Sequence, residues 1–132
     1  MDITIDTSVV VAVILRETSR DRLIEVTAGA TLHTPASIHW EIGNSLSSFF
    51  KQNRLSLEQA VASIDGLREI EYRSHNVDLK TAIELSHARR IYAYDTYVLA
   101  GAMKTASPLL TLDRGLRQAA IESNVPVLEI PR

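Results

Sequence analysis

The chain opens on Met1-Asp2-Ile3-Thr4-Ile5, where apolar residues alternate with polar ones and β-branched types dominate, a pattern that predicts a strand. Asp6-Thr7-Ser8 follows, three residue types that cap helices, and then an almost wholly apolar run from Val9 to Leu15. A helix apolar on all sides is a buried one. The pattern therefore predicts a central strand, a sharp turn and a buried helix, with Asp6 at the C-terminal tip of the strand. In open α/β sheets that edge is where ligands bind. Taken alone, Asp6 reads first as a helix cap.

The same alternation of periods continues. Thr18-Ser19 caps a second helix from Arg20 to about Ala28, stopped by Gly29, and Thr31 to Pro35 reads as a second strand. A longer helix runs from about Ala36 to Gln52. Ile38, Ile42, Leu46, Phe49 and Phe50 form its apolar stripe, and Glu41, Asn44, Ser45 and Ser48 a neighbouring polar one. Ser56 caps a helix to about Leu67. Ile70 to Arg73 looks like a third strand, and Asn76 caps a helix through about Arg90. Asp95 opens a helix whose body, Val98 to Met103, is apolar nearly all round. Leu109 to Leu112 reads as a fourth strand ending on Asp113, which caps a helix to about Glu122, and Val127 to Ile130 reads as a fifth.

Strands alternating with helices imply parallel pairing through right-handed crossovers. The expectation is one α/β domain over residues 1–132, a three-layer α/β/α sandwich around a five-stranded, mainly parallel sheet.

Composition narrows this further. At 45% hydrophobic and 23% charged the chain has ordinary globular usage. Cysteine is absent, so no disulfide, thiolate metal site or thiol nucleophile exists. That fits a reducing compartment, and the expected location is cytoplasmic. The N-terminal apolar run is shorter than the roughly 18 residues a membrane span needs. A net charge of −2 carries no global nucleic-acid signature.

Four carboxylates share a position. Asp6 and Asp113 follow strands, Glu41 lies in the first turns of the helix after the second strand, and Asp95 opens a buried helix. If the first and fourth strands are neighbours, all four converge on one edge. Carboxylates about 6 Å apart repel by roughly 3 kcal/mol per pair at an effective dielectric of about 20. Convergence therefore needs a cation or protonation of some members. Oxygen ligands of this kind are what magnesium and manganese prefer.

Here the sequence resembles a known family. Asp6-Thr7-Ser8 after an apolar strand, Pro35 leading to Glu41 with Asn44 one turn on, Tyr94-Asp95-Thr96-Tyr97-Val98-Leu99-Ala100 and Leu110-Thr111-Leu112-Asp113-Arg114 are similar, in order and spacing, to the motifs of PIN domains, specifically VapC-type toxins of toxin–antitoxin modules. The resemblance covers essentially the whole chain. It implies an endoribonuclease dependent on Mg²⁺ or Mn²⁺, with Asp6, Asp95 and Asp113 as metal-holding residues. Glu41 would bind or orient the metal-bound water, and Ser8, Asn44 and Thr111 would support that set. It also implies an RNA substrate, a small antitoxin partner and homodimerisation. Thr96 and Arg90 depart from the family pattern, which favours a small apolar residue and glycine there.

With the four carboxylates set aside, the net charge of −2 becomes +2. Arg89, Arg90, Arg114 and Arg117 flank the proposed site in sequence and are candidates for RNA phosphates. Other chemistries that place acids at strand ends fit poorly. Asp6 lacks the acidic neighbour of a receiver domain and the Asp-x-Asp-x-Thr of a haloacid-dehalogenase-type phosphatase, and the first turn holds no glycine for a dinucleotide. The competing readings are a non-catalytic PIN-like interaction module, its carboxylates serving only as caps, and a stand-alone nuclease without an antitoxin.

Overall fold

The computed structural model describes residues 1–131. Four strands, β1 (Asp2–Ile5), β2 (Thr31–Pro35), β3 (Arg73–His75) and β4 (Leu109–Leu110), form one parallel sheet in the order β3-β2-β1-β4. The chain lays down β1, moves outward through β2 and β3, then returns to the other side of β1. β1 and β4 are thus neighbours, and the switch point lies at their C-terminal ends.

Period-two alternation splits the strands between two helical layers. Ile3, Ile5 and Leu110 face a core built with α1 (Thr7–Ile14), α2 (Arg20–Thr27), α3 (Ile38–Lys51) and α4 (Leu57–Leu67). Leu109 faces a second core with Val98, Leu99 and Ala102 of α6 (Ala93–Thr105) and Leu116, Ala119 and Ala120 of α7 (Arg114–Glu122). Leu85 of α5 (Leu79–Arg89) packs against that second core. Thr4 turns the same way and is bonded to Ser107 Oγ at 2.6 Å. Across the sheet edge a polar chain joins three strands: His33 Nε2 lies 2.8 Å from Asp2 Oδ1, and His33 Nδ1 lies 2.7 Å from His75 Nε2.

Ser56 caps α4 as expected, in a reciprocal box with Gln59. Other boundaries move. β3 starts at Arg73, because Ile70 and Tyr72 leave the sheet to pack on the first core. Asp78, not Asn76, caps α5, accepting from the Thr81 amide and hydroxyl. α6 begins two residues before Asp95.

The expected fifth strand is a correction: among the described residues the sheet has four strands. Val127 makes only an isolated bridge to Leu109. β4 is two residues long, since Pro108 precedes it and Thr111 and Leu112 are turned away into other bonds. Leu128 donates to the Leu109 carbonyl at 2.9 Å, and among the described residues no strand follows it. No helix is long and apolar enough to cross a membrane among the described residues.

Candidate active site

Asp6 is the best-determined group at the switch point. β1 ends there, and its carboxylate caps α1 by accepting from the Val9 amide at 3.4 Å. Its Oδ1 also accepts from Ser8 Oγ at 2.6 Å, and its Oδ2 from Thr111 Oγ1 at 2.8 Å. Ser8 Oγ in turn accepts from the Leu112 amide, and Thr111 Oγ1 from the Asp113 amide, both at 3.0 Å. Two hydroxyls thus stitch the β1–α1 turn to the β4–α7 turn, with Asp6 as the knot. They are also why Thr111 and Leu112 do not continue β4. Burial pushes the Asp6 carboxyl up to about 6. The bonds from Ser8, Thr111 and Val9 oppose that rise, and the charge of Asp113 adds to it.

The other three acids arrive on separate helices. Glu41, in the first turn of α3, accepts from Ser37 Oγ at 2.8 Å. Burial raises its pKa against the pull of that bond, with Asp6 and Asp95 adding to the rise. The Thr7 hydroxyl lies near enough to Glu41 to draw the pKa down, yet it makes no hydrogen bond of normal geometry and is otherwise buried without a partner. Asp95, in the first turn of α6, is half-buried, and its pKa is raised first by burial and then by Asp113. Asp113 caps α7 through a 3.1 Å bond from the Leu116 amide. Gly115 keeps room for it, since a Cβ there would come within 3.3 Å of Asp113 Oδ1.

Asp6, Glu41, Asp95 and Asp113 all line one cavity of about 350 Å³, together with Thr7, Ser8 and Ser45. Asn44 is exposed and off its wall, and Ser45 takes the place beside it. Glu17 and Phe49 also line the cavity, two residues the sequence did not single out as part of a site. A larger hollow of about 480 Å³ adjoins this one and shares Glu17 and Phe49, but carries none of the four acids.

The donors are hard oxygens, the type divalent magnesium and manganese take. As placed, no three acidic or histidine side chains among the described residues stand together as a ligand cage. Magnesium keeps several waters and needs only one or two direct carboxylates, so the donor set fits such an ion through water.

The flanking arginines divide. Arg89 is spent on structure, donating to Ser123 Oγ and the Glu122 carbonyl, and Arg117 pairs with Glu129. Arg90 takes the left-handed conformation (φ 55°) that ends α5, which is why glycine suits that position. Thr96 is fully buried, its hydroxyl returned to the Ala93 carbonyl at 2.8 Å. Arg114 stays exposed beside Asp113.

The PIN-domain family model matches residues 3–122, a span that runs from β1 to the end of α7. The chain belongs to the PIN-domain family. Among solved structures, this PIN domain resembles PAE2754 from Pyrobaculum aerophilum, with a TM-score of 0.68 and 18% identity over 90% of this chain and 87% of that one. It also resembles VapBC2 from Rickettsia felis, solved bound to a DNA fragment from their promoter, with a TM-score of 0.65 and 16% identity over 97% and 98%. No curated protein matches. At these identities the two structures establish the shared fold. PIN domains are in general nucleases, so the acidic cavity is the candidate active site.

Proposed function

We propose that this PIN domain is a metal-dependent endoribonuclease and the toxin of a VapBC-type toxin–antitoxin module. The observation that carries the reading is the buried Asp6 carboxylate, held from both sides at the sheet's switch point, with Glu41, Asp95 and Asp113 lining the same cavity. Helix capping alone would not explain a carboxylate driven to a pKa of about 6 by burial.

Asp6, Asp95 and Asp113 would hold Mg²⁺ or Mn²⁺. A bound ion of this kind offsets charge on the phosphate and lowers the pKa of a ligated water. Ser8 and Thr111 fix both oxygens of Asp6, so its orientation is set before substrate arrives. Glu41 is partly buried and burial raises its pKa, so it would orient a water and be a stronger base toward it than a solvated glutamate. No protein nucleophile is required. The VapBC2 likeness supports a small protein partner, the antitoxin, and assembly into an oligomer, with self-association of this chain as part of it.

The test is incubation of the purified chain with structured and single-stranded RNAs plus Mg²⁺ or Mn²⁺, beside an Asp95→Asn variant and a chelator control. The expected result is cleavage lost in both controls. No cleavage and no thermal stabilisation by Mn²⁺ would move the reading to a non-catalytic interaction module, because an ion bound only by the folded state must raise stability. Failure to co-purify any small partner from the native host would favour a stand-alone nuclease.

A further inference from the structure

The larger hollow beside the acidic cavity is built by two matching helix ends. At the end of α1 the Arg16 amide donates to the Val13 carbonyl and the Glu17 amide to the Ala12 carbonyl. At the end of α3 the Asn53 amide donates to the Phe50 carbonyl and the Arg54 amide to the Phe49 carbonyl. Both are left-handed helix stops, with φ of 55° at Arg16 and 54° at Asn53. Each turn delivers an arginine to the same hollow of about 480 Å³, which Leu55 and Gln59 help to line.

Those arginines are free and one is pre-oriented. Neither Arg16 nor Arg54 is in an ion pair among the described residues. The Arg54 guanidinium sits 4.7 Å above the Phe49 ring, tethered by a 3.2 Å bond to Gln52 Oε1. A planar cation lying on an aromatic ring presents its other face to a nucleobase and its edge to a phosphate. Arg16 occupies a left-handed position where glycine is the unstrained choice, so folding does not ask for its side chain. Phe49 and Glu17 belong to both hollows, which makes this one a direct continuation of the acidic cavity.

We infer that the hollow formed by Arg16, Phe49 and Arg54 is the subsite for the single-stranded RNA next to the scissile phosphate. Arg16 contacts a backbone phosphate, and Arg54, backed by Phe49, stacks on a base. This rests on the nuclease reading and names where its substrate lies. It also adds to the sequence reading, in which Arg89, Arg90, Arg114 and Arg117 are the candidates for RNA phosphates.

The test measures binding of a labelled, mixed-sequence single-stranded RNA oligonucleotide in chelator across a salt series, then cleavage with Mn²⁺. The variants are Arg16→Gly with Arg54→Gln, and Arg54→Lys alone, with melting temperatures as the folding control. The double variant should lose about tenfold in affinity and flatten the slope of log affinity against log salt by about 0.7, the value for the one single-strand phosphate contact that Arg16 makes. KM should rise while kcat stays within about twofold. Arg54→Lys should keep most of the slope yet still lose affinity, because the plane is gone. Parental affinity, slope and KM in the double variant would overturn the subsite alone, provided the parent cleaves RNA. A parent that neither binds nor cleaves any RNA would overturn the nuclease reading with it. Unchanged RNA binding, with loss of a co-expressed small protein partner in the double variant, would reassign the hollow to protein docking.

Discussion

The N-termini of α1 and α5 are built alike and behave oppositely. Asp6 and Asp78 both cap a helix, and each accepts from a backbone amide three residues on and from a nearby hydroxyl. Asp78 is exposed, and its bonds to Thr81 pull its pKa below the ordinary value. Asp6 is 7% exposed, and burial overrides three hydrogen bonds to push its pKa up to about 6. The local motif is the same, so the difference comes from the sheet. Asp78 caps a helix in solvent, whereas Asp6 stands at the junction of β1 and β4 with three other acids on its cavity. A cap serves folding at either place. A buried carboxylate with a raised pKa costs folding something at neutral pH, which is what the proposed metal site would account for.

The comparison breaks most sharply at the acids that only one region has. Asp95→Asn removes a raised, half-buried carboxylate that caps nothing. RNA cleavage should fall by roughly a hundredfold or more, the scale of removing one electrostatic group from a preorganised site. The melting temperature in chelator should hold or rise, since a repulsion with Asp113 is relieved. Loss of fold instead of activity would place Asp95 in structure.

The next largest effect is a pH dependence of opposite sign at the two caps. The folded pKa of Asp6 is raised, so its protonation favours the native state. Its contribution to stability is fully present below about 4 and is lost as pH rises through about 6, a change of about 3 kcal/mol at most. The folded pKa of Asp78 is lowered, so its contribution is present above its ordinary value and is lost as the solution is acidified past that value. Urea unfolding between pH 4 and 7, in chelator, checks this against Asp6→Asn. The parent should lose stability relative to the variant as pH rises through about 6, and a flat difference would mean that Asp6 is not desolvated.

Much of this region was legible before any coordinates. β-branched alternation followed by Asp6-Thr7-Ser8 marks a strand, a stop and a cap within a few residues, and each signal is local. Placing all four acids on one edge needed only the condition that β1 and β4 be neighbours, which the sheet order satisfies. What stayed hidden depends on tertiary direction. Thr111 and Leu112 have strand propensity, but their hydroxyl and amide are taken by Asp6 and Ser8, so β4 is short and the fifth strand loses its partner. Asn44 and Ser45 differ by about 100° around α3, and periodicity cannot choose between them without the tilt of the helix. Glu17 reaches the cavity just after the left-handed turn that ends α1, and Arg16 is not the glycine that announces such a turn, whereas Phe49 shares the face of α3 that carries Glu41 and Ser45 and reads in sequence as a core residue.

A smaller effect separates the hydroxyls that serve the two caps. Thr111→Val keeps the shape and removes the group that donates to Asp6 Oδ2 and accepts the Asp113 amide. Two buried or half-buried polar groups lose their partner, at a cost of about 1–3 kcal/mol in unfolding free energy, and the Asp6 pKa should move further up. Thr81→Val removes the equivalent hydroxyl at Asp78. There water replaces it, so the denaturation midpoint should shift by clearly less than in Thr111→Val. Equal shifts would mean that the bonds around Asp6 are ordinary cap bonds and that burial at the switch point adds nothing. The expected inequality ties the two hydroxyls of the β1–β4 junction to the orientation of Asp6, and through it to any ion or phosphate that the cavity receives.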